Sequence, residues 1–376
     1  MKVAVISWKF ENFGTLLQAY ALNYFLNQID TIDCDFVFYD LDKNNLDIPF
    51  RLISLDTPSK IWNKIFKIKN QYLEKESEIQ KEACSLFFEK IKHTKQVQKH
   101  ELYKLNEQYD VFICGSDQIW NPCYFDKSYF LDFVRDDKKK IAYAPSLGGN
   151  KIPLRLKLIY RKLISRFDYL SAREKESCDL ITLLTKKKCE YVTDPTILLS
   201  SNEWLNALNI KINNSKGKYL LCYFLSPQAW YKDYVISIAE KYNLHIAYLN
   251  NTESDYFTEF KDSFKIVGGP EEFVSAIANA QFIITDSFHG TLFSVFFEKN
   301  FITLQRFKDT GKRSENNRVT SFLNSINILN RFVYKGDKFS DDECKIDYKS
   351  VNTILYEKRN HAKQYIQNAL FQGEDI

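Results

Sequence analysis

The chain has 376 residues, of which 45% are hydrophobic and 27% charged, a composition typical of a globular protein long enough for two domains. Its 52 basic and 48 acidic residues leave a net charge of +4, which gives no global signature of nucleic-acid binding. The eight cysteines are scattered, without a C-x-x-C pair or a histidine at zinc-ligand spacing, so we expect reduced thiols in a cytoplasmic protein and no metal site.

The first element is a short apolar run at 3–6, which predicts a buried strand rather than a signal peptide. A glycine-containing loop follows and leads into an apolar helix, the arrangement of a ligand loop in an α/β protein. Neither G-x-G-x-x-G nor a P-loop pattern is present, which excludes those two phosphate-binding fingerprints. The candidate substrate-binding residues of this loop and helix are Asn12, Gly14, Thr15 and Gln18. A second strand is predicted at 36–39.

Residues 58–105 are rich in Lys and Glu and helical in pattern, which predicts a helical insertion in the first domain. Within it, residues 60–72 alternate apolar side chains with lysines, as basic amphipathic segments do. One interpretation is peripheral contact with the inner face of a membrane. The other is a helix packed on its own domain with its lysines in solvent.

A buried strand is predicted at 109–114, and Gly115, Ser116, Asp117 and Gln118 follow it directly. The glycine lets a ligand approach the backbone, and the other three offer a hydroxyl, a carboxylate and an amide. These residues are therefore candidates for substrate binding, with Asp117 as a catalytic group. The alternative is a turn held together by its own side-chain hydrogen bonds.

The next strands are predicted at 140–144 and 167–172, and Arg173 stands at the end of the latter. A guanidinium in this position is suited to hold a carboxylate or a phosphate through two hydrogen bonds. The alternative is an ion pair with Glu174 or another nearby acid.

A polar segment at 213–218 marks the predicted domain boundary, after which strands and helices alternate again. The fold class that this predicts is α/β, with two Rossmann-like domains facing each other across a cleft, as in the GT-B architecture. The predicted limits are 1–212 and 213–340, with 341–376 as a helix that returns to the first domain. Gly268 and Gly269, before a helix, form a candidate anion loop.

The stretch 280–300 predicts a strand, a turn and a helix, and the turn carries His289. Parallel sheets bind ligands at the carboxyl ends of their strands, and a helix N-terminus favours an anion. We therefore interpret this turn as the active site, with Ser287, Phe288, Gly290 and Thr291 as binding residues. The alternative is that Ser287 is an ordinary N-cap and His289 a buried, satisfied ring.

Positive charge is concentrated just beyond this turn, which suits an anionic substrate, although a solvated basic face would have the same sequence. The residues are Arg306, Lys308, Lys312, Arg313 and Arg318, of which Arg313 and Arg318 are the binding candidates.

Four segments occur in an order that resembles the polysaccharide pyruvyl transferase family. They are Asn12-Phe13-Gly14-Thr15-Leu16-Leu17-Gln18-Ala19-Tyr20-Ala21-Leu22, Gly115-Ser116-Asp117-Gln118-Ile119-Trp120-Asn121-Pro122, Ser171-Ala172-Arg173-Glu174 and Asp286-Ser287-Phe288-His289-Gly290-Thr291. The resemblance implies a GT-B-like enzyme that moves the enolpyruvyl unit of phosphoenolpyruvate onto a sugar of a surface or capsular polysaccharide precursor and closes a ketal, without a cofactor.

The resemblance also implies roles for single residues. His289 matches the family's essential histidine, Arg173 its essential arginine and Arg318 a further arginine. One departure is that other members have Arg-Leu-His where this chain has Ser287-Phe288-His289, so the anion would be held by Arg313 or Lys308.

In the expected reaction, His289 protonates the enol methylene or relays the hydroxyl proton, and Asp117 orients or deprotonates the acceptor hydroxyl. Arg173 and the basic loop hold carboxylate and phosphate. The expected partners are phosphoenolpyruvate and a sugar acceptor, lipid-linked in one version of the hypothesis, and no nucleic acid. Two other classes stay open: a nucleotide-sugar glycosyltransferase of GT-B type and a non-catalytic glycan-binding protein.

Overall fold

A computed structural model describes residues 1–9, 12–39, 78–149, 151–212, 218–249, 260, 263–307, 316–339 and 345–372. The described chain divides into two compact units, one containing 1–39, 88–199 and 356–372 and the other 78–87 and 200–355, each range without its undescribed residues. The predicted membrane-contact segment 60–72 and the basic residues Lys308, Lys312 and Arg313 lie outside the described residues.

The strands and helices alternate along most of the described chain. The strands are β1 (Lys2–Ile6), β2 (Asp33–Phe36), β3 (Val111–Cys114), β4 (Lys139–Ala142), β5 (Tyr169–Ala172), β6 (Glu190–Tyr191), β7 (Tyr219–Tyr223), β8 (His245–Leu249), β9 (Phe264–Ile266), β10 (Phe282–Thr285), β11 (Asn300–Leu304) and β12 (Phe332–Val333). The α-helices are α1 (Phe13–Asn27), α2 (Glu78–Phe88), α3 (Lys157–Ile164), α4 (Lys175–Thr185), α5 (Ser201–Ala207), α6 (Tyr231–Tyr242), α7 (Pro270–Asn279), α8 (Phe288–Phe296), α9 (Asn317–Ser325) and α10 (Tyr348–Phe371).

Each unit is built on a parallel sheet. In the described chain the first sheet has the order β2-β1-β3-β4-β5-β6 and the second the order β12-β11-β10-β7-β8-β9. Strands β3, β7 and β10 are buried along their whole length and read as unbroken apolar runs, because helices cover both faces of a parallel sheet. The predicted α/β class with two Rossmann-like units is confirmed.

The second strand differs from the prediction, which placed it at 36–39. The observed strand β2 is Asp33–Phe36, paired in parallel with β1 from Lys2 to Val5. Val37 still donates its N–H to the Val5 carbonyl at 2.7 Å, but the Phe38 N–H donates to the Thr94 hydroxyl at 3.1 Å. On the side of the strand away from β1, regular backbone pairing therefore ends where a side chain of the insertion accepts the Phe38 N–H.

The insertion predicted at 58–105 is helical only in part of its described residues. Helix α2 and a 3-10 helix at Lys99–Glu107 flank an extended stretch, in which the Phe36 N–H donates to the Lys92 carbonyl and the Thr94 N–H to the Phe36 carbonyl. The His93 ring stacks on Phe88 with ring centroids 4.5 Å apart. Residues 92–94 thus extend the sheet beside β2, because aromatic packing holds them against its edge.

The division between the units falls between Leu199 and Ser200, ahead of the boundary predicted at 212. Helix α10 is divided, since its residues from Tyr356 onward group with the first unit and its earlier residues with the second. Within the first unit, Tyr365 on α10 donates its hydroxyl to the Ala142 carbonyl at 2.9 Å. Among the described residues, no helix is long and apolar enough to cross a membrane.

Candidate active site

The polar side chains of the loop after β1 and of the start of α1 form hydrogen bonds mainly within this region. The Asn12 side chain caps α1 by accepting the N–H groups of Gly14 at 3.0 Å and Thr15 at 3.4 Å. Gln18 is fully buried and donates to the Ser7 hydroxyl at 3.2 Å and the Thr15 carbonyl at 3.0 Å. Three of the predicted binding residues, Asn12, Gly14 and Gln18, therefore shape the loop, and Thr15 reaches further, as described below.

The loop after β3 is packed in the same way. A side chain at Gly115 would place its β-carbon 3.0 Å from that of Ser7, so the backbone here lies directly against β1. The Ser116 hydroxyl donates to the Ala144 carbonyl at 2.7 Å, and the Gln118 amide oxygen accepts from Asn121 at 2.8 Å. These contacts agree with a turn held by its own side-chain hydrogen bonds.

Asp117 is the exception in this loop. Its φ of 72° is rare for a residue with a side chain and is held by its contacts. One carboxylate oxygen accepts the Thr15 hydroxyl at 2.7 Å, and the other accepts the Gln118 N–H at 2.9 Å. The chain therefore fixes this carboxylate, which is nearly buried, at the carboxyl end of β3.

Arg173, at the end of β5, faces three carboxylates. Its Nη1 donates to Asp194 at 2.9 Å, its Nε donates to Glu174 at 3.3 Å, and its Nη2 lies 3.7 Å from Asp117. Burial alone would lower the pKa of the guanidinium, but the charges of Glu174, Asp194 and Asp117 outweigh burial and raise it. We call these four residues the Arg173 cluster. The ion pair considered in the sequence analysis is present and has three acidic members.

Each acid of the Arg173 cluster has further support. Asp194 accepts the Thr196 N–H at 3.1 Å and the Thr196 hydroxyl at 2.9 Å, and Glu174 accepts the Ser177 hydroxyl at 3.1 Å. Asp194 was missed as a site residue, although its signal, an acid followed by a proline after a short strand, is in the sequence. The cluster joins the ends of β3, β5 and the segment after β6.

In the second unit, the turn between β10 and α8 is also internally bonded. The Ser287 hydroxyl caps α8 by accepting the Gly290 N–H at 3.2 Å. The Thr285 hydroxyl donates to the Tyr223 carbonyl at 2.7 Å and accepts the Ser287 N–H at 3.1 Å. The Thr291 hydroxyl lies 2.7 Å from that of Thr303. The contacts of Ser287 are those of an N-cap, which is the alternative given in the sequence analysis.

Gly290 leaves no space for a side chain. A β-carbon there would lie 2.5 Å from the Thr285 hydroxyl oxygen, which both of its hydrogen bonds hold in place. Helix propensity alone would make alanine stabilising. We expect the clash to reverse this sign, so that Gly290→Ala lowers the free energy of unfolding by ~1–3 kcal/mol in urea titrations.

The matched control for Gly290→Ala is Gly149→Ala, because a β-carbon at Gly149 would meet no atom within 4 Å. We expect no measurable loss of stability in this control. Equal stability of the two variants would contradict the close approach of α8 to Thr285.

Asp286 was quoted within a motif but missed as a site residue. Its carboxylate accepts the N–H groups of Leu225 at 2.6 Å and Ser226 at 2.9 Å, which ties the end of β7 to the end of β10. The Arg306 guanidinium donates to the Ser226 hydroxyl at 3.0 Å. Burial raises the pKa of Asp286, and this outweighs the opposing effects of Arg306 and the two amides.

A raised pKa in the folded state has a defined effect on stability. The contribution of Asp286 is fully present below the unfolded pKa, near the usual 3.8, and is lost as the pH rises through the folded pKa. The difference in unfolding free energy between wild type and Asp286→Asn should therefore fall as the pH rises above 3.8, by at most ~1.4 kcal/mol per unit. Urea titrations across this range test the sign, and a difference that grows with pH would refute it.

His289 is the second residue of α8 and is 9% exposed. Its ring meets the Phe288 ring edge-on, with centroids 5.3 Å apart. Phe288 in turn lies 6.0 Å from the Arg318 guanidinium, so Arg318 belongs to the surroundings of this turn. Of the two predicted binding arginines, Arg318 is thus near the histidine's helix, and Arg313 lies outside the described residues.

In the candidate anion loop at Gly268 and Gly269, a carboxylate of the protein itself occupies the position expected for a bound anion. The Glu272 carboxylate accepts the Gly269 N–H at 2.7 Å and caps α7. A side chain at Gly269 would also lie 2.9 Å from the β-carbon of Ala83 on α2. This loop is therefore occupied by its own helix and an adjacent one.

The predicted site residues fall into two groups. The structure brings Thr15, Asp117 and Arg173 together in the first unit, whereas His289 and its turn belong to the second. Among the described residues, no group of three or more His, Cys, Asp or Glu side chains is arranged to hold a metal ion.

Solved structures with the same fold include two nucleotide-sugar enzymes. The UDP-GlcNAc 2-epimerase from Neisseria meningitidis, bound to UDP-GlcNAc, superimposes with a TM-score of 0.56 at 12% identity and covers 99% of this chain and 100% of its own. The enzyme of that name from Methanocaldococcus jannaschii gives 0.54 at 14% identity, with coverage of 99% and 100%. These likenesses show the fold alone, which is GT-B-like.

Comparison of sequences is more specific. No curated protein matches the chain. The profile of the polysaccharide pyruvyl transferase family matches residues 12–306, a span that begins at the N-cap of α1, ends at Arg306, and includes the Arg173 cluster and the His289 turn. Since this span is well over half of the chain, the resemblance found from the four motifs is confirmed, and the protein belongs to the polysaccharide pyruvyl transferase family.

Proposed function

We propose that this protein transfers the enolpyruvyl unit of phosphoenolpyruvate to two hydroxyls of a sugar in a surface or capsular polysaccharide precursor. The enol methylene gains a proton and becomes a methyl group, two C–O bonds form at C2, and phosphate leaves with the second hydroxyl proton. The reaction takes place in the cytoplasm, where this donor is made, and needs no organic cofactor.

The observation that carries the proposal is the Arg173 cluster within the matched family span. One guanidinium faces three acids, so the cluster keeps an excess of negative charge when they are ionised. Each carboxylate has about four acceptor positions, so the three acids gather many hydrogen-bond acceptors beside one guanidinium. Such a cluster is suited to bind sugar hydroxyls, which are hydrogen-bond donors.

The cluster changes the role that we assign to Arg173. A guanidinium already bound to three carboxylates is poorly placed to take the donor's carboxylate as well. We therefore assign Arg173 to holding Asp117 and Asp194 in position, and Asp117 to orienting the acceptor hydroxyl or taking its proton. The carboxylate and the phosphate of the donor are then bound by basic residues of the second unit.

Three features of the second unit suit the donor. Helix α8 has a partial positive charge at its N-terminal end. Arg318 lies beside Phe288, which is in the first turn of α8. His289 stands in the same turn and supplies the proton for the methylene or accepts one from a hydroxyl. Since Ser287 occupies the position where other members have an arginine, Arg318 and Arg313 are the residues assigned to the phosphate and carboxylate.

Calorimetric titration with phosphoenolpyruvate, UDP and CMP tests the proposal. We expect saturable binding of phosphoenolpyruvate and none of the nucleotides. Arg318→Gln should weaken that binding about tenfold or more, since a charge-assisted hydrogen bond is lost. Arg135→Gln is the control, because Arg135 is half-exposed and its ion pairs within the described residues are with the exposed acids Glu107 and Asp137. Nucleotide binding without phosphoenolpyruvate binding would replace the proposal with a nucleotide-sugar glycosyltransferase.

A further inference from the structure

One segment of the first unit has a larger net positive charge than the whole chain. Residues 151–166 contain six basic side chains and no acidic one, whereas the entire chain has an excess of four. The rest of the protein is therefore slightly acidic. The six are Lys151, Arg155, Lys157, Arg161, Lys162 and Arg166, and they lie on and around the 3-10 turn Leu154–Leu156 and helix α3.

The same segment exposes two leucines. Leu154 is 77% exposed and Leu158 is 78% exposed, while Tyr160, Leu163 and Ile164 form the buried face of α3. The helix has therefore already buried one apolar face against its own unit. The outward leucines stand four residues apart, on the side that packing does not use.

Cations surround these leucines. Arg161 and Lys162 stand three and four residues after Leu158, so they share its exposed face. Among the described residues no acid forms an ion pair with any of the first five cations of the segment, whereas Arg166 pairs with Asp136 and donates to backbone carbonyls. In the described part of the chain, these five cations are therefore not neutralised by an ion pair.

Helix α4, the next helix along the chain, has a separate exposed leucine near its C-terminal end. Leu183 is 68% exposed, and the exposed Lys186 and Lys187 follow it. The acids Glu176 and Asp179 lie in the earlier turns of α4. Leu154 and Leu158 with the cations that flank them form what we call the leucine–lysine face.

We propose that the leucine–lysine face docks the protein onto an anionic membrane surface. Leucines placed among lysines and arginines can enter the headgroup boundary while the cations contact lipid phosphates. A nucleic acid would pair with the cations but would give no reason for leucines among them. The face is separate in sequence from residues 60–72, and the inference does not depend on the donor or the reaction.

Vesicle sedimentation of the full chain tests this inference. We expect binding to vesicles of phosphatidylcholine with phosphatidylglycerol, weakened by salt, and little binding to phosphatidylcholine alone. Lys157→Gln/Arg161→Gln/Lys162→Gln should reduce partitioning roughly a hundredfold. Leu154→Gln/Leu158→Gln, which keeps every charge, should reduce it about tenfold.

The matched control is Lys335→Gln/Lys345→Gln/Lys349→Gln, which removes the same charge from exposed positions of the second unit. It should bind as the wild type does. The inference fails if the wild type ignores anionic vesicles at low salt, or if the control loses as much binding as the triple variant of α3. It also fails if the leucine variant binds normally, or if DNA or heparin binds as tightly as the vesicles, since charge alone would then explain binding.

Discussion

Arg173→Met is expected to be among the most destabilising single substitutions in this protein. The methionine fills much of the same space but leaves Asp117, Glu174 and Asp194 in a buried site without their cation. Breaking a buried ion pair from one side costs ~3–5 kcal/mol, because the remaining charge is neither solvated nor paired. Urea unfolding at neutral pH measures this loss.

The pH dependence of the variant separates charge from packing. Because the pKa of Arg173 is raised, its contribution is lost only above an already very high pKa, so the arginine itself causes no pH dependence near neutrality. In Arg173→Met, protonation of the acids relieves their mutual repulsion. The difference in unfolding free energy between this variant and the wild type should therefore become smaller as the pH falls. A gap that is constant with pH would mean that lost packing, not charge, is responsible.

Two further variants complete this test. Arg173→Lys keeps the charge but not the fork of three nitrogens, so we expect a smaller loss than with methionine. Arg135→Met removes an arginine that pairs with exposed Glu107 and Asp137, and should change stability little or not at all. A large loss in Arg135→Met would show that the method reports net charge rather than the cluster.

The cluster also explains how an arginine that does not bind the donor could be required for activity. If Arg173 positions Asp117, activity should follow the placement of that carboxylate, and Arg173→Lys should lose turnover while still binding phosphoenolpyruvate. If Arg173 instead holds the donor, both variants should lose donor binding together with turnover. The two outcomes distinguish a positioning residue from a binding one.

The strands could be predicted from the sequence because their signal is local. Residues 111–114, 219–223 and 282–285 are short apolar runs bounded by polar turns, and a parallel sheet requires such runs. The error at β2 has a physical origin as well. Phe36 to Tyr39 reads as a strand, but on the side away from β1 the Phe38 N–H is bonded to the side chain of Thr94, which is far away in sequence, and not to a backbone carbonyl.

The contacts of the site could be predicted only in part. An ion pair between Arg173 and Glu174 could be foreseen because the two residues are adjacent. The contacts of Arg173 with Asp194 and Asp117 could not, because only the folded sheet places these residues side by side. The bonds from Asp286 to Leu225 and Ser226 likewise join strands that are neighbours only in the folded sheet. Side-chain chemistry is visible in a sequence, but strand order is not.

Several motif residues of the His289 turn have structural contacts of their own. Ser287 caps α8, Gly290 allows the close approach to Thr285, and Thr291 meets Thr303. Each of these contacts would suffice to explain its residue without catalysis. His289 is different, because its side chain is an imidazole, the group best suited to take up and release a proton near neutral pH. It is therefore the residue of this turn whose substitution should separate chemistry from folding.

We expect His289→Gln to lower turnover about 10²–10⁴-fold while the free energy of unfolding and the affinity for phosphoenolpyruvate change little. Glutamine has a similar length and can form hydrogen bonds, but it cannot take up and release a proton near neutral pH. The measurement is transfer of ¹³C from labelled phosphoenolpyruvate into a glycan extract as a ketal methyl group. His245→Gln is the matched control, since His245 is an exposed histidine of the same unit.

The combination of readouts decides what His289 does. Lost turnover with normal stability and donor affinity would assign proton transfer to this imidazole. Lost donor affinity would instead make it a binding residue beside Arg318, and the acid would have to be sought elsewhere in the enzyme. Turnover within about threefold of wild type would remove His289 from the chemistry altogether, because a general acid contributes at least ~10²-fold. Asp117 of the Arg173 cluster would then be the next residue to test for proton transfer.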